Sequence, residues 1–315
     1  MFDASGQSLH WQHPRTGLSR YPRTGHSNEG RPGVPRGSYT SAMRSEESRP
    51  AVGLRSRGFI GVQGPGAEDY LQRMVSNDVA ALGAGEACDA LLLTPKARVI
   101  APLTVVRRTE QDFLLLTEPE LAEVVRSHLL AFRFAARLDV ELEEHESFLL
   151  LGGAPPGGAA LSVGTKEYGE PAFEVLDVAP ADDLPRISEE ELERLRIEAG
   201  TPRFGREIDD RVLPAEAGLV ERAVSLTKGC YPGQEPIARL HYRGHANRGL
   251  RVLRVETDLP LPPDAEVRLG DKVVGRVTSS ARANGALVAL AYVRTEVPPE
   301  AELAVGDSAA LPHLN

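Results

Sequence analysis

A turn-forming stretch at residues 226–244 places the strongest constraint on how this chain folds. Two glycines and a proline surround Cys230, and they break both the helical and the strand pattern there. Residues 231–234, Tyr-Pro-Gly-Gln, predict a tight turn, because proline presets the second position and glycine allows a positive φ at the third. A loop that carries Lys, Cys, Gln and Glu is expected at a surface or cleft, because loops often carry function.

Cys230 has two interpretations. The thiolate is the reactive form of cysteine, and the ammonium of Lys228, two residues away, would lower the pKa of a neighbouring thiol. Cys230 and Lys228 are therefore the candidate catalytic pair. The alternative is a half-buried cysteine in an ordinary turn, because isolated cysteines commonly behave as small buried hydrophobes. The spacing alone leaves both interpretations open.

The composition is that of a globular protein, with 41% hydrophobic and 26% charged residues in a chain of 315. Two cysteines cannot build a disulfide framework, which favours a reducing compartment and a cytoplasmic location. They also form no Cys-x-x-Cys pair, so they cannot hold a zinc ion or an iron–sulfur cluster by themselves. We therefore expect no metal site, and any iron–sulfur chemistry would lie in a client protein.

The net charge of −9 is unevenly distributed. Residues 1–50 carry seven arginines and four acidic residues, which leaves a net charge of −12 for residues 51–315. So acidic a body is poorly suited to direct nucleic-acid binding, which depends on neutralising phosphates. No membrane span is expected, because the longest uncharged run, residues 147–165, is interrupted by glycine and proline.

The pattern along the chain predicts an α+β fold in three regions. Residues 1–50 are rich in Ser, Gly, Pro and Arg and are expected to be disordered, with Met43 as a possible true start. Residues 51–247 mix strands with helices and form two subdomains with a break near 146. Capping boxes at Thr117 and Ser188 predict two of the helices. Residues 248–315 alternate short apolar runs with turns, which predicts a small β-barrel.

Residues 228–235, Lys-Gly-Cys-Tyr-Pro-Gly-Gln-Glu, resemble the signature of the YgfZ-type folate-binding proteins, relatives of the glycine-cleavage T-protein (aminomethyltransferase) family. Five further segments resemble motifs of that superfamily and occur in the family order, at residues 76–79, 95–99, 195–200, 204–208 and 275–279. Together the motifs cover roughly residues 51–300. The resemblance implies a ring of three subdomains around a folate-sized channel, with a β-barrel at the C-terminal end.

The resemblance also implies a set of ligand-binding residues. Tetrahydrofolate, or a one-carbon-substituted folate, is the implied cofactor. Glu198 matches the glutamate that holds the pterin in the T-protein family, and one carboxylate can accept both donors of the pterin edge. Gln234 is assigned to the same site. Arg239, Arg243 and Arg248 could bind the anionic glutamyl tail, or they could form an ordinary solvated face.

Two positions depart from the family pattern. The acidic pair that includes the catalytic Asp of the T-protein falls at Ala101 and Pro102, and Ala97 replaces a glycine. The main expectation is a tetrahydrofolate-binding protein that acts in iron–sulfur cluster assembly or repair and thereby supports tRNA-thiomethylating enzymes. Its partners would be iron–sulfur enzymes or assembly factors. The alternatives are a folate-dependent aminomethyltransferase or demethylase, and an interaction scaffold without a ligand.

Overall fold

The computed structural model describes residues 50–155, 161–169, 172–178, 181, 183–262 and 264–313. The expected disorder of the N-terminal extension and the possible start at Met43 therefore concern residues outside the described part of the chain.

Among the described residues, strands and helices are interspersed up to residue 243, and the elements after it are strands. The strands are β1 (Ala51–Leu54), β2 (Gly58–Gln63), β3 (Ala87–Leu93), β4 (Val99–Thr109), β5 (Asp112–Thr117), β6 (Asp139–Glu143), β7 (Ser147–Leu151), β8 (Leu161–Thr165), β9 (Ala172–Leu176), β10 (Arg248–Val255), β11 (Glu266–Leu269), β12 (Lys272–Ala283), β13 (Ala286–Arg294), β14 (Leu303–Val305) and β15 (Ser308–Pro312). The helices are α1 (Ala67–Met74), α2 (Ala122–Ala131), α3 (Glu189–Glu198), α4 (Val220–Ala223) and α5 (Gln234–Arg243).

The first sheet has five antiparallel strands in the order β3-β4-β5-β2-β6. Its apolar side chains alternate along each strand, so that one face packs against α1 and α2. Ile60, Phe113 and Leu71 are fully buried in that core, and Val125 and Leu129 of α2 join them. The opposite face of the same sheet supports the functional region described below.

The second sheet has the order β1-β7-β9-β8. Its edge strand β1 precedes the first sheet in the chain but pairs antiparallel with β7, so that Ala51 lies opposite Leu151. The expected break near residue 146 falls between the end of β6 and the start of β7. Strand β1 precedes this break in the chain but pairs with β7, which follows it. The domain boundaries themselves stay a prediction.

The C-terminal strands form a closed barrel in the order β10-β13-β12-β11-β14-β15, completed by pairing of β10 with β15. Strand β13 is almost continuously buried, because it lies between β10 and β12 and packs against both the barrel interior and the α+β body. The expected α+β class with a terminal β-barrel is confirmed.

Local signals succeeded at one helix start and failed at another. The Ser188 hydroxyl accepts a hydrogen bond from the Glu191 main-chain N–H at 3.2 Å, as the capping box predicts. The capping box at Thr117 was wrong. The Thr117 hydroxyl donates instead to the Pro102 carbonyl at 2.8 Å, and α2 begins only after a single 3₁₀ turn, without a side-chain cap. A contact between strands has replaced the local cap.

The turn at residues 231–234 is confirmed, but α5 directly after it was not anticipated. Gly233 has φ +85°, and the Gln234 N–H donates to the Tyr231 carbonyl at 3.3 Å. Helix α5 starts at Gln234 and buries only Ile237 fully, which leaves most of its surface exposed. Strand β8 and the single turn of α4 were missed as well.

Candidate functional site

The signature loop, residues 226–233, lies against the tip of the β3–β4 hairpin. A Cβ atom at Gly233 would come within 2.8 Å of the Thr94 carbonyl oxygen and 3.0 Å of the Ala97 Cα. Glycine is therefore required there by space as well as by its positive φ. Ala97 itself has φ +57° with its side chain fully buried, a conformation that is unfavourable for any residue except glycine. Loop and hairpin tip thus form one packed unit.

Lys228 ties the signature loop to the end of α1. Its amine donates hydrogen bonds to the Val75 carbonyl at 2.8 Å and the Asn77 carbonyl at 2.5 Å, and the residue is only 8% exposed. Burial lowers the pKa of the Lys228 amine to about 8. Neither hydrogen bond involves the Cys230 thiol, so these contacts give Lys228 a structural role. The activation of Cys230 by Lys228 stays a prediction.

The two cysteines have different surroundings. Cys230 is exposed at the signature loop. Cys88 on β3 is half-buried, and burial, reinforced by the neighbouring Asp89 carboxylate, raises the pKa of its thiol to about 12. Lys228 lowers that pKa only in part. Cys88 is therefore a protonated, unreactive thiol at neutral pH, whereas Cys230 is accessible to a partner or reactant.

A pocket of about 550 Å³, counting its open mouth, lies where the first sheet faces α3, α4 and the loop at residues 201–208. We call it the polar pocket. Its apolar wall comes from β3, β4 and α4. Its charged lining residues are Arg55, Arg57, Asp89, Glu118, Glu167, Arg196, Arg203 and Arg222.

One side of the polar pocket is a buried network of arginines and glutamates. Arg55 contacts Glu118 at 3.1 Å and Glu167 at 3.4 Å. Arg57 contacts Glu167 and Glu174, both at 3.0 Å, and Glu174 also accepts a hydrogen bond from Ser147. Burial alone would raise the pKa of Glu167, but Arg57 and then Arg55 outweigh it and lower that pKa to about 2. The Glu167 carboxylate is therefore ionised at neutral pH.

The other side of the polar pocket is held by two separate ion pairs. Arg222 of α4 contacts Asp89 of β3 at 3.0 Å. Arg196 of α3 contacts the fully buried Glu207 carboxylate at 3.0 Å, and the Ser279 hydroxyl of the barrel donates to the same carboxylate at 2.6 Å. The Arg196–Glu207 pair therefore connects the pocket wall with the barrel.

Two guanidinium nitrogens in this pocket lack a partner. The Nε atoms of Arg55 and Arg203 are buried and make no hydrogen bond within the described part of the protein. Both residues line the polar pocket. A buried donor without an acceptor is unfavourable by about 1–3 kcal/mol. A ligand with carbonyl, ring-nitrogen or carboxylate acceptors would satisfy these two donors.

The residues predicted for ligand binding are not gathered at one point. Glu198 ends α3 and contacts Arg194 at 2.5 Å, and it lies outside the lining of the polar pocket. The Gln234 side chain donates to the Lys228 carbonyl at 3.3 Å within the signature loop. Its role in ligand binding, like that of Glu198, stays a prediction.

The three arginines proposed for a glutamyl tail are separated by the fold. Arg239 and Arg243 lie on the exposed surface of α5, where Arg239 contacts Glu235 at 2.8 Å. Arg248 begins β10, with its guanidinium 4.5 Å from the centre of the Tyr292 ring and 3.2 Å from the Glu216 carboxylate. Arg248 therefore faces a different cleft from the other two.

The positions of the expected acidic pair lie on β4. Ala101 is fully buried, and Pro102 lines the polar pocket opposite Leu91 of β3. These two positions therefore contribute no ionisable group to the wall of the polar pocket.

Most charged residues of the polar pocket were missed from the sequence. Arg196 lies within a motif that was noticed, but Arg55, Arg57, Glu118 and Glu167 carried no signal. Their partners are 63 to 117 residues away in the chain, so that no local spacing could identify the network.

Comparisons with other proteins place the chain in a family. No family model matches it. An aminomethyltransferase of Rubrobacter xylanophilus is 30% identical over 290 residues, which span 78% of this chain and 75% of that protein. The chain belongs to the aminomethyltransferase family. The tRNA-modifying protein YgfZ of Edwardsiella ictaluri is 28% identical over 79% of this chain and 86% of that protein, which supports a YgfZ-type member.

The structural comparison agrees with this assignment. The glycine cleavage system aminomethyltransferase T of Bartonella henselae has a TM-score of 0.72 over 84% of each chain, at 21% sequence identity. The shared fold confirms the T-protein-like architecture of this family member. In the described part of the chain, no helix is long and apolar enough to cross a membrane. The same residues contain no group of three or more His, Cys, Asp and Glu side chains placed to hold a metal ion.

Proposed function

We propose that this family member binds tetrahydrofolate in the polar pocket and acts in the assembly or repair of iron–sulfur clusters, in the cytoplasm. The proposal of a ligand in the polar pocket rests on two buried donors without a partner there, Arg55 Nε and Arg203 Nε. Membership in the aminomethyltransferase family supports a folate as the molecule that satisfies them.

The lining residues fit the chemistry of a folate. The pterin edge offers adjacent N–H donors, which a carboxylate accepts, and the pterin also carries a carbonyl acceptor. Asp89, Glu118 and Glu167 supply carboxylates in the pocket itself. Glu198, two residues beyond Arg196 on α3, remains the carboxylate proposed from the family resemblance. When bound, the folate would supply a carrier for one-carbon units.

The pocket wall argues against the aminomethyltransferase activity of the relatives. Ala101 and Pro102 occupy the positions where the resemblance places the acidic pair, and neither can position or deprotonate an amine. The residues of this chain can bind and orient a folate and exclude water from its ring. They offer no acid or base at that point of the wall, so we assign a binding role.

The exposed thiol supports a role that involves a partner. Cys230 lies on the surface of the signature loop, where an iron–sulfur enzyme or assembly factor could reach it. Support for tRNA-thiomethylating enzymes would then be indirect. The name of the Edwardsiella ictaluri relative, a tRNA-modifying protein, is consistent with this proposal. The acidic body of the chain favours contact with proteins over direct contact with RNA.

A calorimetric titration with tetrahydrofolate tests the folate proposal. We expect saturable binding to the wild type, and about tenfold weaker binding to Arg203→Gln, because it loses one charge-assisted hydrogen bond. A similar loss in Glu198→Gln would support the carboxylate proposed from the family resemblance, which lies outside the pocket lining. Arg73→Gln, on the exposed surface of α1, is the matched control and should bind like the wild type. Absence of binding to the wild type would reject the folate proposal and favour the ligand-free scaffold.

The variant Cys230→Ser tests the proposed role in the assembly or repair of iron–sulfur clusters. Because Cys230 is exposed, the variant should unfold at the same denaturant concentration as the wild type. In a strain that lacks the natural protein, we expect it to fail to restore the activity of an iron–sulfur enzyme. Cys88→Ala, at a half-buried cysteine, is the control and should restore that activity. Full rescue by Cys230→Ser would contradict a chemical role for the thiol.

A further inference from the structure

Asp89 is the most accessible of the three carboxylates that line the polar pocket. The Asp89 side chain is 37% exposed, whereas those of Glu118 and Glu167 are 10% and 17% exposed. Both glutamates are engaged by Arg55, and Glu167 is engaged by Arg57 as well. Among the three, Asp89 therefore offers a ligand the least obstructed carboxylate.

The ion pair between Asp89 and Arg222 leaves one oxygen of the carboxylate largely unused. Arg222 donates from Nε at 3.1 Å and from Nη2 at 3.0 Å, and both hydrogen bonds end on the same oxygen, Asp89 Oδ2. The other oxygen, Oδ1, has only the Thr104 hydroxyl, at 3.4 Å, within the described part of the chain. A carboxylate oxygen can accept two hydrogen bonds, so Oδ1 retains the capacity to accept one from a ligand.

Strand register turns Asp89 toward the polar pocket. Asp89 of β3 lies opposite Thr104 of β4, and Leu91 lies opposite Pro102. Residues two apart in one strand point to the same face of a sheet, so these four side chains share the face that lines the pocket. Asp89 is the ionisable member of this set, one step along the ladder from Pro102.

A buried hydroxyl fixes the two partners of the ion pair relative to each other. The Ser76 hydroxyl donates to the Ala223 carbonyl at 2.6 Å and accepts a hydrogen bond from the Leu91 main-chain N–H at 2.8 Å, and the residue is fully buried. Ala223 follows Arg222 in α4, and Leu91 lies two residues after Asp89 in β3. Ser76 thus joins the two backbones that carry the pair, as in a preorganised recognition site.

The oxidation state of a folate ring changes the hydrogen bond that one of its nitrogens can make. In tetrahydrofolate this nitrogen is a secondary amine that carries a hydrogen, whereas in dihydrofolate it is an imine that only accepts. We call it the reducible nitrogen. An ionised carboxylate only accepts hydrogen bonds, so it pairs with the amine and is repelled by the lone pair of the imine. A carboxylate oxygen facing this nitrogen therefore distinguishes the two folates.

We propose that Asp89 Oδ1 accepts the N–H of the reducible nitrogen, and that the polar pocket thereby selects the fully reduced folate. This inference rests on the proposed folate function and names the group that recognises the oxidation state of the ring. The unpartnered donors Arg55 Nε and Arg203 Nε lie in the same pocket and suit the acceptors of the ring, such as its carbonyl. Asp89 is then a specificity-determining residue, which Arg222 and Ser76 hold in position.

The test is a calorimetric titration, with oxygen excluded, of tetrahydrofolate and of dihydrofolate into the wild type. We expect tetrahydrofolate to bind at least about tenfold more tightly, because a site that hydrogen-bonds an N–H rejects the analogue that lacks it. Equal affinities for the two folates would overturn this inference and leave the folate proposal standing. Absence of binding by either folate would reject the folate proposal and this inference with it.

The variant Asp89→Asn reverses the hydrogen bonding of the group that faces the ligand. Arg222 has donors only, so the amide oxygen should turn to Arg222 and the amide nitrogen, a donor, to the ligand. The preference for tetrahydrofolate over dihydrofolate should therefore fall below about threefold. Asp69→Asn, on the exposed surface of α1, makes the same chemical change outside the pocket and should keep the full preference. An unchanged preference in Asp89→Asn would contradict the assignment.

A purely structural role of the Asp89–Arg222 pair predicts a different result. Asp89→Asn would then lower the free energy of unfolding and weaken the binding of both folates alike, without changing the ratio of their affinities. Urea denaturation of the variant measures the stability, and the two titrations measure the ratio. The comparison of the two folates on the wild type needs no variant, so it decides the inference even if Asp89→Asn fails to fold.

Discussion

The polar pocket and a second cleft, the barrel cleft between residues 206–212 and strands β10, β12 and β13, each contain five arginines, but the two sets differ in burial and in their carboxylate partners. In the pocket, the Arg55 and Arg57 side chains are 10% and 6% exposed, and each contacts two glutamates. In the cleft, Arg206 and Arg276 are exposed and have no carboxylate partner among the described residues. A buried arginine without a partner would be prohibitively unfavourable, whereas an exposed one remains solvated. The arginines of the pocket are therefore held by carboxylates of the protein, whereas Arg206 and Arg276 are held by solvent alone.

The largest expected effect comes from breaking the buried network. Arg57→Met leaves Glu174, which is 2% exposed, as an uncompensated buried charge, and should lower the free energy of unfolding by about 3–5 kcal/mol. Urea denaturation measures the loss. Adding Glu174→Gln to the variant should recover part of it, because the orphaned charge is then removed. A loss below about 1 kcal/mol would show that the pocket arginines do not stabilise the fold.

An intermediate effect on the free energy of unfolding is expected from the partly exposed His145, which contacts two carboxylates outside the two arginine sets. His145 contacts Glu143 at 2.9 Å and Asp177 at 2.7 Å. Burial opposes the charge of His145, but hydrogen bonds to Asp177 and Glu143 outweigh it and raise its pKa. A raised folded-state pKa means that the stabilisation is complete below the unfolded pKa and is lost as pH rises through the folded pKa. The wild type should therefore exceed His145→Gln in stability, by no more than about 1 kcal/mol, at acidic pH only.

His128 provides the control of opposite sign for that pH profile. Burial lowers the pKa of His128, which lies on α2 beside Phe132. The stability associated with His128 is therefore present above the unfolded pKa and is lost as pH falls through the folded pKa. Urea denaturation of the wild type and of each His→Gln variant, measured across pH, gives two difference curves. Curves that slope the same way would contradict the assignment for one of the two histidines.

The smallest effect is expected from an arginine of the barrel cleft. Arg276→Gln should change the free energy of unfolding by less than about 0.5 kcal/mol without ligand, because the side chain is exposed and unpaired. Removal of one positive charge from a crowded face could even stabilise the protein slightly. Thermal denaturation beside Arg57→Met makes the comparison direct. A loss similar to that of Arg57→Met would remove the distinction between the two sites.

The sequence predicted regular elements better than it predicted the site. Short apolar runs separated by turns predicted the C-terminal barrel, because such patterns depend only on near neighbours. The Thr117 cap failed because the hydroxyl found a tertiary acceptor, the Pro102 carbonyl. Helix α5 was missed because glycine and proline dominate the stretch that precedes it.

The candidate site was only partly accessible from the sequence. The signature loop and its glycine were recognised because their constraints are local. The polar pocket joins side chains from Arg55 to Arg222, so its network exists only after the sheets and helices have packed. The resemblance pointed to Glu198, whereas the carboxylates that line the pocket are Asp89, Glu118 and Glu167. A folded chain, and not a motif, was needed to find them.

A crystal structure of the protein with tetrahydrofolate would show directly whether the ligand occupies the polar pocket. We expect the pterin in the polar pocket, with ligand acceptors within hydrogen-bonding distance of Arg55 Nε and Arg203 Nε. Tetrahydrofolate bound anywhere else, with those two nitrogens still unpartnered at saturating ligand, would contradict it.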